Sequence, residues 1–199
     1  MSSKSRSNSR RYSLSVWAAF ILLILSAWAE AGVRAPSFEG IGFDGRPVKW
    51  EALRGKAILL AFSYSNCQVT CPIIMGRFLD IDETLSSPQD LLYVQISVDP
   101  EGDTQANIRK YFKIYAIDPE QDKRWLFLYA SRGVLEPVWK AYGITIEKKV
   151  WPVGYEMIFT PKVVAIDRGG TIRKEWDGFD FPEEEAVSIL KKLLEEKPR

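Results

Sequence analysis

The sequence predicts an α/β domain: a central mixed sheet flanked by helices, with a hairpin extension at its N-terminal side. Three observations lead there. Two continuous apolar runs, Ala57 to Tyr64 and Leu91 to Val98, lack the alternation of half-exposed strands and read as strands buried on both faces. Between and after them, apolar residues recur at helical spacing, so strands and helices alternate. Near the end, Arg168-Gly169-Gly170 turns one strand, Lys162 to Asp167, into the next, Thr171 to Trp176, which mixes the strand directions.

The elements follow in order. Glu30 to Pro36 reads as a loose arm, and Asp44-Gly45 between short apolar segments of Phe38 to Val48 signals a hairpin. After the first long strand, Pro72 suits the first position of a helix, where a missing N–H costs nothing; Ile74, Phe78, Ile81 and Leu85 then mark its inner face. Asp103-Thr104 open a second helix through Ala116, with Ile108, Tyr111, Phe112 and Tyr115 inward. Trp125 to Ala130 reads as a strand and Val134 to Tyr142 as a helix ended by Gly143. Residues 183–196 close the chain as an amphipathic helix whose Glu183–Glu185 and Lys191–Lys192 complement the helix dipole. The order β-α-β-α-β-α-β-β-α, with a cysteine pair between the first long strand and its helix, is the thioredoxin-like arrangement.

Composition narrows the chemistry. The 199 residues are 46% hydrophobic and 27% charged, which is enough chain for a substantial core and too apolar for a disordered protein. With 27 Lys+Arg against 26 Asp+Glu there is no global attraction to nucleic acid, and no basic cluster beyond the first eleven residues replaces it. There is no histidine. That excludes Ser-His-Asp and Cys-His catalysis and every His-ligated metal site. Two cysteines, three methionines and the carboxylates remain.

Residues 1–29 form a separate segment, and residues 30–199 the folded domain. All charges of the segment are basic (Lys4, Arg6, Arg10 and Arg11), and an uncharged stretch from Tyr12 to Ala29 follows, ending in Ala27-Trp28-Ala29. A basic start, an apolar run and an A-x-A site read as a signal peptide; the uncharged stretch is also just long enough for an uncleaved membrane anchor. Both place the domain outside the cytoplasm, in the periplasm or on the outer face of the membrane. No cysteine follows the apolar run closely enough for a lipoprotein anchor. The compartment therefore permits disulfides.

The two cysteines stand as Cys67-Gln68-Val69-Thr70-Cys71-Pro72. Four residues apart on a helical or turn-like segment, their Cα atoms come within disulfide range, about 6 Å. At the entrance to a helix, free N–H groups and the dipole favour a thiolate. Such a pair can exchange with a partner's disulfide, Cys67 attacking and Cys71 resolving, or hold one Cu(I) ion. A closed structural disulfide and a buried inert pair compete with these readings, although Asn66, Gln68 and Thr70 favour partial exposure. Zinc does not fit two thiolates without histidine.

Phe62-Ser63-Tyr64-Ser65-Asn66-Cys67-Gln68-Val69-Thr70-Cys71-Pro72 and Ser97-Val98-Asp99-Pro100-Glu101-Gly102-Asp103-Thr104 together resemble the two signatures of the Sco/SenC family, thioredoxin-like proteins of copper delivery to cytochrome c oxidase. The resemblance spans about residues 36–196. It implies a site of two cysteines and one histidine just before the fourth long strand. In this chain the corresponding stretch is Met157-Ile158-Phe159-Thr160-Pro161, with Phe159 at the histidine position. Thr160-Pro161 resembles the cis-proline element that such folds set against their cysteines, which makes Pro161 a third candidate site residue. The resemblance further implies partners among protein thiols and disulfides, including an oxidase subunit. Two functions follow: a thiol–disulfide redox protein serving copper-site assembly and requiring no cofactor, or a Cu(I) metallochaperone using Cys67 and Cys71, with Met75 or Met157 as a third soft donor. Asp99 reads as a turn former rather than a catalytic group.

Overall fold

The computed structural model describes residues 32–196. The signal or anchor segment and its cleavage site lie outside the described residues. Five strands form the main sheet in the order β5-β4-β3-β8-β9. Here β3 is Ala57–Ser63, β4 Leu91–Ser97, β5 Trp125–Leu128, β8 Lys162–Ile166 and β9 Ile172–Asp177. β3, β4 and β5 run parallel, while β8 lies antiparallel to β3 and β9 antiparallel to β8. The expected mixed sheet is thus present.

The apolar run of β3 accounts for its place. Every residue of it is buried, as the central strand of a sheet covered on both faces requires. Ala57, Leu59 and Ala61 point to one face, where they meet α1 (Thr70–Thr84), α2 (Gln105–Ile114) and α4 (Glu183–Glu195). Ile58, Leu60 and Phe62 point to the other, against α3 (Arg132–Ala141) and a 3-10 turn at Trp50–Leu53. The Asp44-Gly45 signal lies in the connection between β1 (Glu39–Ile41) and β2 (Pro47–Lys49), an antiparallel pair, with Gly45 at φ 81° as a tight turn there requires.

Three expectations need correction. α1 starts at Thr70, so Pro72 is its third residue; the first four N–H groups of a helix lack intrahelical acceptors, and the ring is tolerated there too. The peptide before Pro161 is trans, as there is no cis bond among the described residues. Pro161 instead leads straight into β8, its carbonyl accepting from Gly178 N at 3.1 Å. Thr160 is held in place from the other side, its N–H donating to Thr145 O at 3.1 Å. Finally, a second hairpin, β6 (Ile146–Val150) and β7 (Tyr155–Phe159), precedes β8 and was not foreseen. Its outer residues are mostly exposed and carry mixed charge, so the apolar period is faint. The turn around Pro152 and Gly154 (φ 83°) was the available signal.

Leu60 has no exposure and sits mid-strand between β4 and β8. Leu60→Ala should destabilise the domain by about 3 kcal/mol, measured by denaturant unfolding.

Candidate functional site

The parallel strands β3 and β4 end side by side, Ser63 opposite Ser97. The chain leaves β3 through Tyr64, Ser65 and Asn66 and reaches Cys67 in a tight turn, Cys67 N donating to Tyr64 O at 3.2 Å. Helix α1 starts three residues later without any side-chain oxygen cap. The Cys67 sulfur supplies one instead, accepting from Cys71 N at 3.2 Å.

The two thiols are free and differ sharply. Cys67 is 9% exposed and Cys71 2%. The Cys71 side chain, then the N–H groups of Cys71, Val69 and Thr70, favour negative charge on Cys67 and bring its pKa down to about 7 against the opposing effect of burial. Burial, reinforced by the neighbouring Cys67 charge, pushes the Cys71 thiol well above the ordinary range. The outer sulfur is therefore the one more readily ionised near neutral pH, and the inner one stays protonated.

One buried carboxylate fixes the cysteine turn. Asp103, 3% exposed, accepts from Ser65 N at 2.7 Å and from Ser97 Oγ at 2.5 Å, which joins the turn to the end of β4. Burial raises its pKa to about 6. Asp99 accepts from Gly102 N at 3.2 Å and caps the turn of its own loop, as expected of a turn former. It also accepts the Tyr155 hydroxyl, tying the β6–β7 hairpin to that loop.

The hairpin lies against Tyr64, which leads into the cysteine turn. Met157 and Phe159, on one face of β7, belong to the same apolar cluster as Tyr64, Cys67 and Cys71. The Phe159 ring meets Tyr64 edge-on, centroids 6.2 Å apart. The side chain at the expected histidine position thus meets Tyr64, three residues before Cys67, and offers a phenyl ring. Met75 does not fit as a donor: it is 1% exposed and its sulfur accepts from Gln95 Nε2 at 3.0 Å. Met157 is the thioether that shares the cysteine cluster. Among the described residues no group of three or more His, Cys, Asp or Glu could hold a metal. Two thiolates and a thioether suit Cu(I); Cu(II), which favours nitrogen and oxygen, lacks its donor. Pro161 stands beside α1, since a Cβ added to Gly178 would meet Pro161 Cβ at 3.0 Å and Ile74 Cδ1 at 2.9 Å. The serine and glutamine behind Cys71, Ser63 and Gln95, were missed; each is a polar residue inside an apolar run, and that was the signal.

A family model described as SCO1/SenC matches residues 29–195. The chain belongs to the SCO1/SenC family. It is 26% identical over 153 residues to the SCO1 protein homolog of Bacillus subtilis, covering 74% of this chain and 76% of the relative. Its fold is similar to that of Bradyrhizobium japonicum ScoI with copper bound, at 24% identity and TM-score 0.66, covering 81% of this chain and 99% of that one. It is also similar to BsSco, described with a disulfide switch and as a member of the Sco family of cytochrome c oxidase assembly proteins. There the identity is 23% and the TM-score 0.68, over 84% of this chain and 96% of that one. The thioredoxin-like fold of the SCO1/SenC family is the one the strand order and cysteine position predicted.

Two outcomes follow for this SCO1/SenC site. Cys71→Ala should remove the neighbour that most favours the Cys67 thiolate, so iodoacetamide alkylation of Cys67 at pH 7 should slow roughly tenfold. Asp103 binds its proton more tightly folded than unfolded, so its contribution favours folding increasingly as pH falls from about 6 toward 4. The stability difference between wild type and Asp103→Asn should therefore shift by about 2 kcal/mol in favour of wild type from pH 7 to pH 4, by urea unfolding.

Proposed function

We propose that the chain is an exported thiol–disulfide redox protein of Sco type that serves copper-site assembly in cytochrome c oxidase through Cys67 and Cys71. The observation that carries this reading is the asymmetry of the pair: a near-surface sulfur at a helix N-terminus with a pKa of about 7, backed by a buried thiol of high pKa. A structural disulfide would need no such difference. Copper-site cysteines must be reduced before they accept metal, and a dithiol of this form can reduce them. The Cys67 thiolate attacks one sulfur of the partner's disulfide, forming a mixed disulfide and releasing the other sulfur as a thiolate. Cys71 then attacks the Cys67 sulfur; the Cys67–Cys71 bond forms, the bond to the partner breaks, and two electrons have passed to the partner. The basic start and apolar run of residues 1–29 support an extracytoplasmic location, where this exchange is sustained. The copper-loaded and disulfide-switch relatives support the same chemistry on this fold.

One observation favours a second reading, Cu(I) carriage. Met157 is buried in the same apolar core as Cys67 and Cys71, so copper as cargo would have two thiolates, this thioether as the candidate third soft donor, and no histidine.

The purified protein should pass between dithiol and disulfide forms with unchanged far-ultraviolet circular dichroism. A disulfide that yields only after denaturation would show the pair to be structural and overturn the redox reading. In a copper titration the wild type should hold Cu(I) and bind Cu(II) weakly, and Phe159→His should strengthen Cu(II) binding with a thiolate-to-copper absorption band. Tight Cu(II) binding by the wild type would place carriage ahead of redox exchange.

A further inference from the structure

The footing here is the redox reading of Cys67 and Cys71. Under α1 the sheet face is apolar through Ala57, Leu59 and Ala61 on β3 and through Leu91 and Tyr93 on β4. At the cysteine end it turns polar. Ser63 and Gln95 take the next positions on that face, 2% and 3% exposed. Tyr111 of α2 comes in above them and donates its hydroxyl to Gln95 Oε1 at 2.8 Å, while Gln95 Nε2 donates to Met75 Sδ. Ser63, Gln95, Tyr111 and Cys71 line one void, and it is too small for a water molecule.

Within this arrangement the Ser63 hydroxyl is the uncommitted group: its oxygen has no hydrogen-bond partner. Water cannot satisfy it, and buried hydroxyls are seldom left without a partner. Tyr111 has committed its donor to Gln95 and Gln95 its Nε2 donor to Met75, so the acceptors that share the void with the Ser63 hydroxyl include the Tyr111 oxygen and the Cys71 sulfur, and only the sulfur gains negative charge in the exchange. Among the groups that favour negative charge on that otherwise strongly desolvated sulfur, the Ser63 side chain is the largest contributor and the Tyr64 backbone comes next. The unpartnered hydroxyl and the buried resolving thiol thus complement each other. What is missing in the resting dithiol is the charge that the hydroxyl would meet.

We propose that Ser63 assists the resolving step, its hydroxyl donating a hydrogen bond to the Cys71 sulfur as that sulfur attacks the mixed disulfide, with Tyr111 and Gln95 holding the pocket around it. In that step the bond between Cys71 and Cys67 forms and the bond between Cys67 and the partner sulfur breaks. The electron pair of the broken bond leaves with the partner sulfur, which takes up the proton that Cys71 gives up. Ser63 keeps its own proton throughout. The initial attack by Cys67 does not involve it, because that sulfur is held by the N–H groups of α1 on the other side of the pair.

The aromatic disulfide 5,5′-dithiobis(2-nitrobenzoate) reads the two steps separately. Attack by reduced Cys67 releases one coloured thiolate, and resolution by Cys71 releases the second. In the full-length protein, Ser63→Ala should leave the first release within about twofold of wild type and slow the second about tenfold, the scale of one hydrogen bond to a charged group. Ser63→Thr, which keeps the hydroxyl, should restore the second release. A wild-type rate for the second release in Ser63→Ala would overturn the proposal. So would equal slowing of both releases, which marks a general structural effect. A wild-type protein that releases no second thiolate would overturn the redox reading itself, a result distinct from either.

Discussion

The cysteine end of this molecule depends on one buried carboxylate. Asp103 bridges Ser65 N and Ser97 Oγ, and so joins the turn that carries Cys67 to the end of the neighbouring strand. Without that link the turn has a single backbone hydrogen bond of its own, from Cys67 N to Tyr64 O. With it, the Cys67 sulfur is delivered to the N–H groups of α1, and the helix begins on a sulfur where others begin on a serine or aspartate oxygen. The cost of burying the carboxylate appears in its raised pKa. That cost falls on stability, while the benefit falls on the position of a nucleophile.

The same strands that build the core also sort the two thiols. β3 is buried on both faces and points its C-terminal end at the site, so residues leaving it enter a desolvated region. Cys67 is desolvated as well, but the turn sets it where the Cys71 side chain and the N–H groups of the helix N-terminus outweigh that effect. Cys71, one helical turn further on, points back into the sheet and stays neutral. Four residues of helix therefore suffice to set the two sulfurs at opposite ends of the thiol pKa range, with no histidine needed to shift either.

Most of this was legible in the sequence, for a physical reason. Long uninterrupted apolar runs such as Ala57 to Tyr64 have one satisfactory home, a central strand, and the spacing of Ile74, Phe78 and Ile81 allows only a helix packed on one side. Cys67 and Cys71 announce themselves by chemistry. The β6–β7 hairpin was harder to read because it is a small sheet of its own whose Glu147, Lys148 and Lys149 are exposed. The trans peptide at Pro161 was not readable either, since the choice of isomer is made by tertiary contacts, here Thr145 and Gly178. Ser63 and Gln95 interrupted apolar runs in plain sight. What their interruption meant could not be seen until the fold put both behind the same sulfur.

The phenyl ring at position 159 bears on how the site works as a whole. β7 packs Phe159 against Tyr64, and Tyr155 anchors that strand to Asp99, so the hairpin is fixed at the end of the sheet from which the cysteine turn departs. The Phe159 ring meets Tyr64 edge-on and adds to the apolar surroundings of that residue. An apolar cover raises the energy of any buried thiolate that lacks a hydrogen-bond donor. Cys67 has its donors in the helix N-terminus. Cys71 has the Ser63 hydroxyl and the Tyr64 backbone, both supplied by the strand from which the cysteine turn departs. A phenyl ring against Tyr64 and a polar pocket behind Cys71 thus give this end of the fold an apolar cover and a hydrogen-bonding floor.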